Sequence, residues 1–343
     1  MSRAGTALVT GATGLVGFHI VERLLADGWT VRALARFPDR ARDALPHAVD
    51  VRQGDVVDQS SFEQAARGCH VVFHAAASII THGGWEAFHA VNVAGTRNAI
   101  AAAAQARARL LHVSSVAVYG SRSRYDAARS GRKTDESVSL PDLPESAHYA
   151  RSKRDSEDLV MRAHVEGRVW ATAVRPCVVY GVRDRQFVPR MAVLVDRLAI
   201  PLLRGGRSTL GVVHAANVAS GAVLAATTDS AGGKAFNLTN DFDVTVRRFF
   251  ELAGQGLGRR PLYVPLPMWA ARGAFSAGRW ITRIALGDRF RMVGNAAIDF
   301  LAEDNPFSSD RAKRELGWRP AVHPEQGVPE AFRWWLETER ARR

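Results

Sequence analysis

Through the first half of the chain, short runs of apolar, β-branched residues alternate with longer stretches whose apolar positions recur every three or four residues. The runs at 6–10, 30–35, 49–53, 70–74, 109–114 and 169–175 predict strands. Between them the spacing predicts helices from Leu15 to Asp27, Ser60 to Arg67, Trp85 to Ala106 and Tyr149 to Glu166. In the first helix Val16, Ile20, Leu24 and Leu25 recur at helical spacing, and Gly28 stands where a C-cap belongs. Such alternation implies an α/β fold with a parallel sheet covered on both faces. Residues 121–148, with Ser, Arg, Asp and Pro, predict a long surface loop, a feature that in compact domains is usually functional.

Beyond Gly181 the alternation becomes irregular. Helices are predicted near 187–198, 217–227, 244–254, 266–286, 308–316 and 327–341, with strands at 210–214 and 235–238. The expected organisation is an α/β domain over 1–180, to which 210–240 returns, and a smaller, mostly helical cap made of 181–209 and 241–343. No internal repeat or low-complexity segment interrupts it.

Composition narrows the class. The chain has 343 residues, 47% hydrophobic and 23% charged, which excludes disordered, collagen-like and disulfide-scaffold readings. Its formal charge of +12 raises the question of a polyanionic partner. Only Lys133, Lys153, Lys234 and Lys313 are lysines, so the charge is nearly all arginine, scattered rather than gathered into a patch. Nucleic acid is therefore not expected as a partner. Cys69 and Cys177 are far apart, without metal-ligand spacing, so no metal site is expected and a reducing cytoplasm is the expected setting. No signal peptide precedes the first strand, and no window reaches the roughly 18 apolar residues of a membrane span.

The chemistry begins at Thr10-Gly-Ala-Thr-Gly-Leu-Val-Gly17, which closes the first strand and opens the first helix. Gly11, Gly14 and Gly17 suit a tight turn whose backbone approaches a pyrophosphate, with the helix N-terminus holding the charge. The motif makes the sheet a Rossmann-type, doubly wound one. Gly11, Thr13, Gly14, Leu15 and Val16 are the expected cofactor contacts there. The second strand ends at Ala35-Arg36 without an acidic residue, and Arg36, with Arg40 as a helper, suits a 2′-phosphate. NADP(H) is favoured and NAD(H) remains open, since Asp39 could serve a ribose. Asp55, beside Val56, is either an adenine contact or a solvated loop aspartate.

Tyr149 and Lys153 stand at i and i+4 of a predicted helix, on one face. A phenol near pKa 10 is a poor base at neutral pH, and an adjacent ammonium lowers that value by stabilising the phenolate. Ser114 and Ser115 end the fifth strand, where open α/β sheets bind ligands, and a hydroxyl there can steady a developing oxyanion.

These residues carry a resemblance. Thr10–Gly17, Val72-Phe-His-Ala-Ala-Ala77, Asn92-Val-Ala-Gly-Thr96, Ser114-Ser115-x-x-Val-Tyr-Gly120, Tyr149-x-x-x-Lys153 and Arg175-Pro-Cys-Val-Val-Tyr-Gly181 resemble the extended short-chain dehydrogenase/reductase family. The likeness continues through Val213–Val218, Phe236–Leu238 and Arg311–Pro320, and the chain end resembles the 3β-hydroxysteroid dehydrogenase-like branch. It implies Tyr149 as acid/base and Lys153 as the group that lowers its pKa and holds the nicotinamide ribose. Ser115, directly before the x-x-Val-Tyr-Gly segment, would orient the substrate oxygen. It further implies that His74, Ala75 and Ala76 line the diphosphate and ribose, that Pro176 and Val179 bracket the nicotinamide, and that Asn92 is structural. Branch members using NAD carry Asp at the end of strand two, and Ala35-Arg36 departs from that.

The expected function is NADP(H)-dependent interconversion of a ketone and a secondary alcohol on a largely apolar substrate, steroid-like or a 3-oxoacyl or 3-keto acid. The apolar, arginine-dotted stretch 264–286 reads equally as a lid, a helix touching a membrane surface, or plain core. The alternatives are a nucleotide-sugar epimerase or dehydratase with retained NAD, and a non-catalytic NADP-sensing regulator. Helices 85–106 and 149–166 resemble the pair through which family members form homodimers.

Overall fold

Seven strands form one all-parallel sheet in the computed structural model of the chain, which describes residues 5–79, 84–120, 131–197, 200–239, 242–267 and 300–341. The order of elements is β1 (Thr6–Thr10), α1 (Leu15–Ala26), β2 (Thr30–Ala35), α2 (Pro38–Ala44), β3 (Asp50–Gln53), α3 (Gln59–Ala66) and β4 (Val71–His74). Then come α4 (Gly84–Phe88), a π-helical stretch (His89–Ala94), α5 (Gly95–Ala106), β5 (Arg109–Val113), a 3₁₀ turn (Val116–Tyr119), α6 (His148–Val165), β6 (Ala171–Pro176) and β7 (Val178–Tyr180). The remainder is α7 (Phe187–Arg197), β8 (Ile200–Leu202), β9 (Val212–His214), α8 (Ala215–Thr227), β10 (Ala235–Leu238), α9 (Val246–Leu257), β11 (Tyr263–Pro265), α10 (Asp310–Leu316) and α11 (Pro324–Ala341).

The sheet order is β10-β6-β5-β4-β1-β2-β3. The chain runs outward from β1 to β3, then crosses to β4 on the other side of β1, so the winding reverses between β1 and β4. Open α/β sheets bind ligands at the carboxyl ends of strands beside such a reversal. Burial follows the pleat: Ala7 and Val9 face a cluster with Ile20 and Leu24 of α1, whereas Leu8 faces Phe62 of α3 and Ala99 of α5. β6 is buried along its whole length, as a central parallel strand covered on both faces must be.

Several elements differ from the sequence expectation. The strand expected at 210–214 is β9, and it pairs with β7 in a two-stranded sheet apart from the main one, so only β10 rejoins the large sheet. β7, β8 and β11 were not expected, because three-residue strands leave no measurable periodicity. The helix expected from Trp85 to Ala106 is interrupted by the π-helical stretch that carries Asn92. Of the stretch 264–286, Val264 and Pro265 belong to strand β11, while 268 onward lies outside the described residues. Residues 121–130 of the expected loop are likewise outside them.

A second cluster gathers Phe249 and Phe250 of α9, Phe332 of α11, Ile200 and Tyr180. Phe307, Leu316 and Trp318 instead join the cluster of α1, α8 and Phe236 against the sheet, with the Trp318 indole donating to the Asn217 carbonyl at 3.0 Å.

Candidate active site

The glycine turn is pressed against the chain leaving β4. Gly11 has φ +64, and a Cβ there would sit 2.8 Å from the Ala76 nitrogen; one on Gly17 would sit 2.2 Å from the Gly11 carbonyl oxygen. The Thr10 hydroxyl locks the junction. It accepts from the Ala76 N–H at 3.2 Å and shares a 2.9 Å hydrogen bond with Nδ1 of His74. His74, Ala75 and Ala76 thus lie beside the turn. Gly14 caps α1 without a side-chain acceptor, and no acidic residue occupies the first turn. Thr13 and Gly14 are exposed, Leu15 and Val16 half-buried. An uncapped helix start of this kind fits the diphosphate of a dinucleotide.

At the end of β2 an exposed aromatic ring carries two cations. The guanidinium carbons of Arg36 and Arg40 lie 5.9 and 5.3 Å from the centroid of Phe37, which is 59% exposed. Asp39 pairs instead with Arg42, at 2.7 Å. After β3, the half-buried Asp55 carboxylate accepts from the Val57 N–H at 3.2 Å, and the buried Val56 lends its carbonyl to the Asn98 amide at 2.8 Å.

Ser115, Tyr149 and Lys153 converge at the carboxyl end of β5. The Ser115 hydroxyl stands near the Tyr149 phenol, close enough to act on its titration. Ser115 Oγ also accepts from the Ala117 N–H at 3.1 Å, capping the 3₁₀ turn, while the adjacent Ser114 is buried in the sheet end. Lys153 is 3% exposed and its ammonium donates to the Val113 carbonyl at 2.7 Å. Burial pulls the Lys153 pKa down to about 8, against the pull of the Glu157 carboxylate. Burial pushes the Tyr149 phenol up, with the nearby Ser115 hydroxyl working against it. The Lys153 ammonium is held by the backbone carbonyl rather than by the phenol. Pro176 ends β6 of the large sheet, and Val179 follows it in β7 of the small one.

A scan against protein families matches residues 7–239 to the NAD dependent epimerase/dehydratase family. The chain belongs to that family. A 4-hydroxy-2-methyl-3-oxo-4-farnesyl-3,4-dihydroquinoline-1-oxide ketoreductase of Stigmatella aurantiaca is 31% identical over 321 residues, covering 93% of each chain. The decarboxylating sterol-4-alpha-carboxylate 3-dehydrogenase of Bos taurus is 27% identical, over 96% of this chain and 92% of that one. The crystal structure of gox2253 covers 98% of this chain and 99% of its own with a TM-score of 0.77 at 27% identity. The protein is thus an NAD(P)-dependent enzyme of the extended short-chain dehydrogenase/reductase family, similar to the 3β-hydroxysteroid dehydrogenase-like branch.

In this extended short-chain dehydrogenase/reductase the structure gives residues around the site their partners and adds others that had no assigned part. Asn92 ties the chain after β4 to α6: its Oδ1 accepts from the Ser78 N–H at 2.7 Å, and its amide donates to the Ser152 hydroxyl at 2.9 Å. Its π-helical stretch turns the buried side chain toward Ser152, which lies between Tyr149 and Lys153 in sequence. His74 and His112 stack at 5.7 Å beneath the site, and burial with the nearby Lys153 charge keeps both neutral, His74 at about 3. Glu157, one turn beyond Lys153, binds Arg175 of β6. The i+4 spacing from Lys153 could have drawn attention to Glu157; nothing local links it to Arg175. The described part of the long loop is anchored, because Arg154 donates to the carbonyls of Pro141 and Val118, and Thr134 exchanges backbone bonds with Pro306 and Ser308.

Proposed function

We propose that the protein is an NADP(H)-dependent oxidoreductase interconverting a ketone and a secondary alcohol on a largely apolar substrate. The observation that carries this reading is the convergence of Ser115 and Tyr149 at the carboxyl end of β5, one helical turn from Lys153, which is buried with its ammonium on the Val113 carbonyl. Gly11, Thr13, Gly14, Leu15 and Val16 would hold the cofactor diphosphate. Arg36 and Arg40 would hold its 2′-phosphate, Asp55 and Val56 would meet the adenine, and Pro176 and Val179 would flank the nicotinamide. When bound, the cofactor supplies a hydride. Ser115 orients the carbonyl oxygen, and Tyr149, which burial keeps protonated, donates its phenolic proton to the oxygen as it becomes an alkoxide. Lys153, one turn further along the same helix, would hold the nicotinamide ribose.

The relatives support an apolar substrate. Their names carry a farnesyl chain, a sterol and, in a 2-alkyl-3-oxoalkanoate reductase of Shewanella oneidensis that is 26% identical over 95% of this chain, an alkyl-substituted keto acid. The cap expected over 181–209 and 241–343 would receive it, apart from Phe307, Leu316 and Trp318, which pack on the large sheet, and the helices over 85–106 and 149–166 would form a homodimer face. The test is a carbonyl panel of steroids, 3-keto acids and ring ketones offered with NADPH or NADH. Steady NADPH oxidation supports the reading. Protein that purifies with tightly held NAD and shows no net change in nicotinamide absorbance would overturn it in favour of a nucleotide-sugar epimerase.

A further inference from the structure

Arg175 stands at the centre of a buried polar network directly behind the site. Its Nε donates to both oxygens of Glu157 at 3.1 and 3.0 Å, and its Nη2 reaches the same carboxylate. Its Nη1 donates to the Tyr119 hydroxyl at 2.7 Å, and that hydroxyl donates to the Asn237 side-chain Oδ1 at 2.9 Å. The Asn237 backbone N–H donates in turn to Glu136 at 2.6 Å. Arg175, Glu157, Tyr119 and Asn237 are all buried.

The two arms of Arg175 end on the two elements that carry the chemistry. Glu157 lies one α-turn after Lys153 on α6, and Tyr119 ends the 3₁₀ turn that Ser115 caps. Arg175 also sits immediately before Pro176. We infer that Arg175, with Tyr119 and Glu157, is a positioning group that holds the Ser115 turn in register with the Lys153 helix. The inference rests on the reading above that Ser115, Tyr149 and Lys153 carry the reaction.

Geometry favours positioning over mere filling. A guanidinium fork binds two partners at fixed angles, which an ammonium cannot do. Displacing a reacting group by about 1 Å can cost on the order of 10²-fold in rate. The network has an electrostatic side as well. Glu157 raises the Lys153 pKa against burial, while His112 and His74, which face Lys153 from the sheet, are neutral, and Tyr149 on its own helix is protonated. Glu157 is thus the charged group favouring the ammonium, and Arg175 fixes where that carboxylate points.

The discriminating variants are Tyr119→Phe, which leaves the Arg175–Glu157 pair intact, and Arg175→Lys, which keeps the charge but not the fork. Each is expected to lower kcat about tenfold or more, with the KM for NADPH within about twofold of wild type. In a Ser115→Ala background, Tyr119→Phe should add little, because the residue it positions is gone. Full kcat in both single variants, or effects that multiply fully with Ser115→Ala, would overturn the inference.

A second measurement needs no turnover. With four lysines in the chain, the Lys153 side-chain titration can be followed by nuclear magnetic resonance of labelled lysine. Glu157→Gln should move it below the wild-type value, and an unmoved titration would overturn the electrostatic part. If wild type oxidises NADPH with no carbonyl, the functional reading fails while this titration still reports the network. If wild type turns over and the variants match it, the network reading alone fails.

Discussion

The Ser115–Tyr149–Lys153 centre and the Arg36–Phe37–Arg40 rim both lie at carboxyl ends of strands in one sheet, yet they use charge in opposite ways. Lys153 is 3% exposed, and its ammonium is held by a backbone carbonyl with a pKa pulled down to about 8. Arg36 and Arg40 are exposed around a ring that is itself 59% exposed. A buried cation is costly, so it titrates near working pH and depends on its neighbours. An exposed guanidinium stays charged at any ordinary pH, and its reach is set by salt. In the proposed reaction, buried charge would serve the tunable work around proton transfer, and exposed charge the simpler work of choosing an anion.

The most direct attempt to break this division is Tyr149→Phe. It should cut turnover on the order of 10²–10⁴-fold while leaving NADPH binding intact, as a fluorescence titration would show. Retained turnover would mean that the buried centre is not where the proton comes from.

Acid should separate the regions next. Burial holds His74 at about 3, His214 at about 4 and His112 well below its ordinary 6.5. The unfolded chain binds protons near pH 6.5 that the folded chain refuses, so stability is full above that pH and is lost as pH falls below it. At pH 5 His74 and His214 should each cost about 2 kcal/mol, with His112 acting in the same direction, seen as a falling melting midpoint in calorimetry. A midpoint unchanged between pH 7 and 5 would show that these rings are not held neutral.

For the rim, Arg36→Ala combined with Arg40→Ala should weaken NADPH about tenfold or more and leave NADH nearly unchanged, with the wild-type NADPH preference shrinking as salt rises. Equal losses for both cofactors would remove the rim from cofactor choice. At the centre, kcat should fall as pH rises through about 8, where Lys153 loses its proton, while Tyr149, pushed above 10, stays protonated. The smallest effect belongs to Asp39→Asn, whose carboxylate is 93% exposed and pairs with Arg42: neither the melting midpoint nor the cofactor ratio should move measurably.

Much of the architecture was legible from local pattern. The strands of the large sheet, helix α1 and its glycine turn came from periodicity and from the spacing of Gly11, Gly14 and Gly17. Tyr149 and Lys153 came from i, i+4 geometry. What escaped was short or non-local. α2 is seven residues long, β7, β8 and β11 three each, and each is held by contacts rather than by its own pattern. The π-helical turn at Asn92 left no mark in hydrophobic spacing. Arg175 was visible as part of a motif, but its partners are 18 and 56 residues away.

The sequence by itself determined which residue types stand at the ends of which strands, because alternation, glycine spacing and helical periodicity are properties of neighbouring residues. Only the tertiary structure decided what those side chains became. It placed Lys153 against the Val113 carbonyl, raised the Tyr149 phenol, kept three histidines neutral and gathered Arg175, Glu157 and Tyr119 behind the site. The reason is that desolvation and partner distance are sums over the surrounding fold, and no window of sequence contains them.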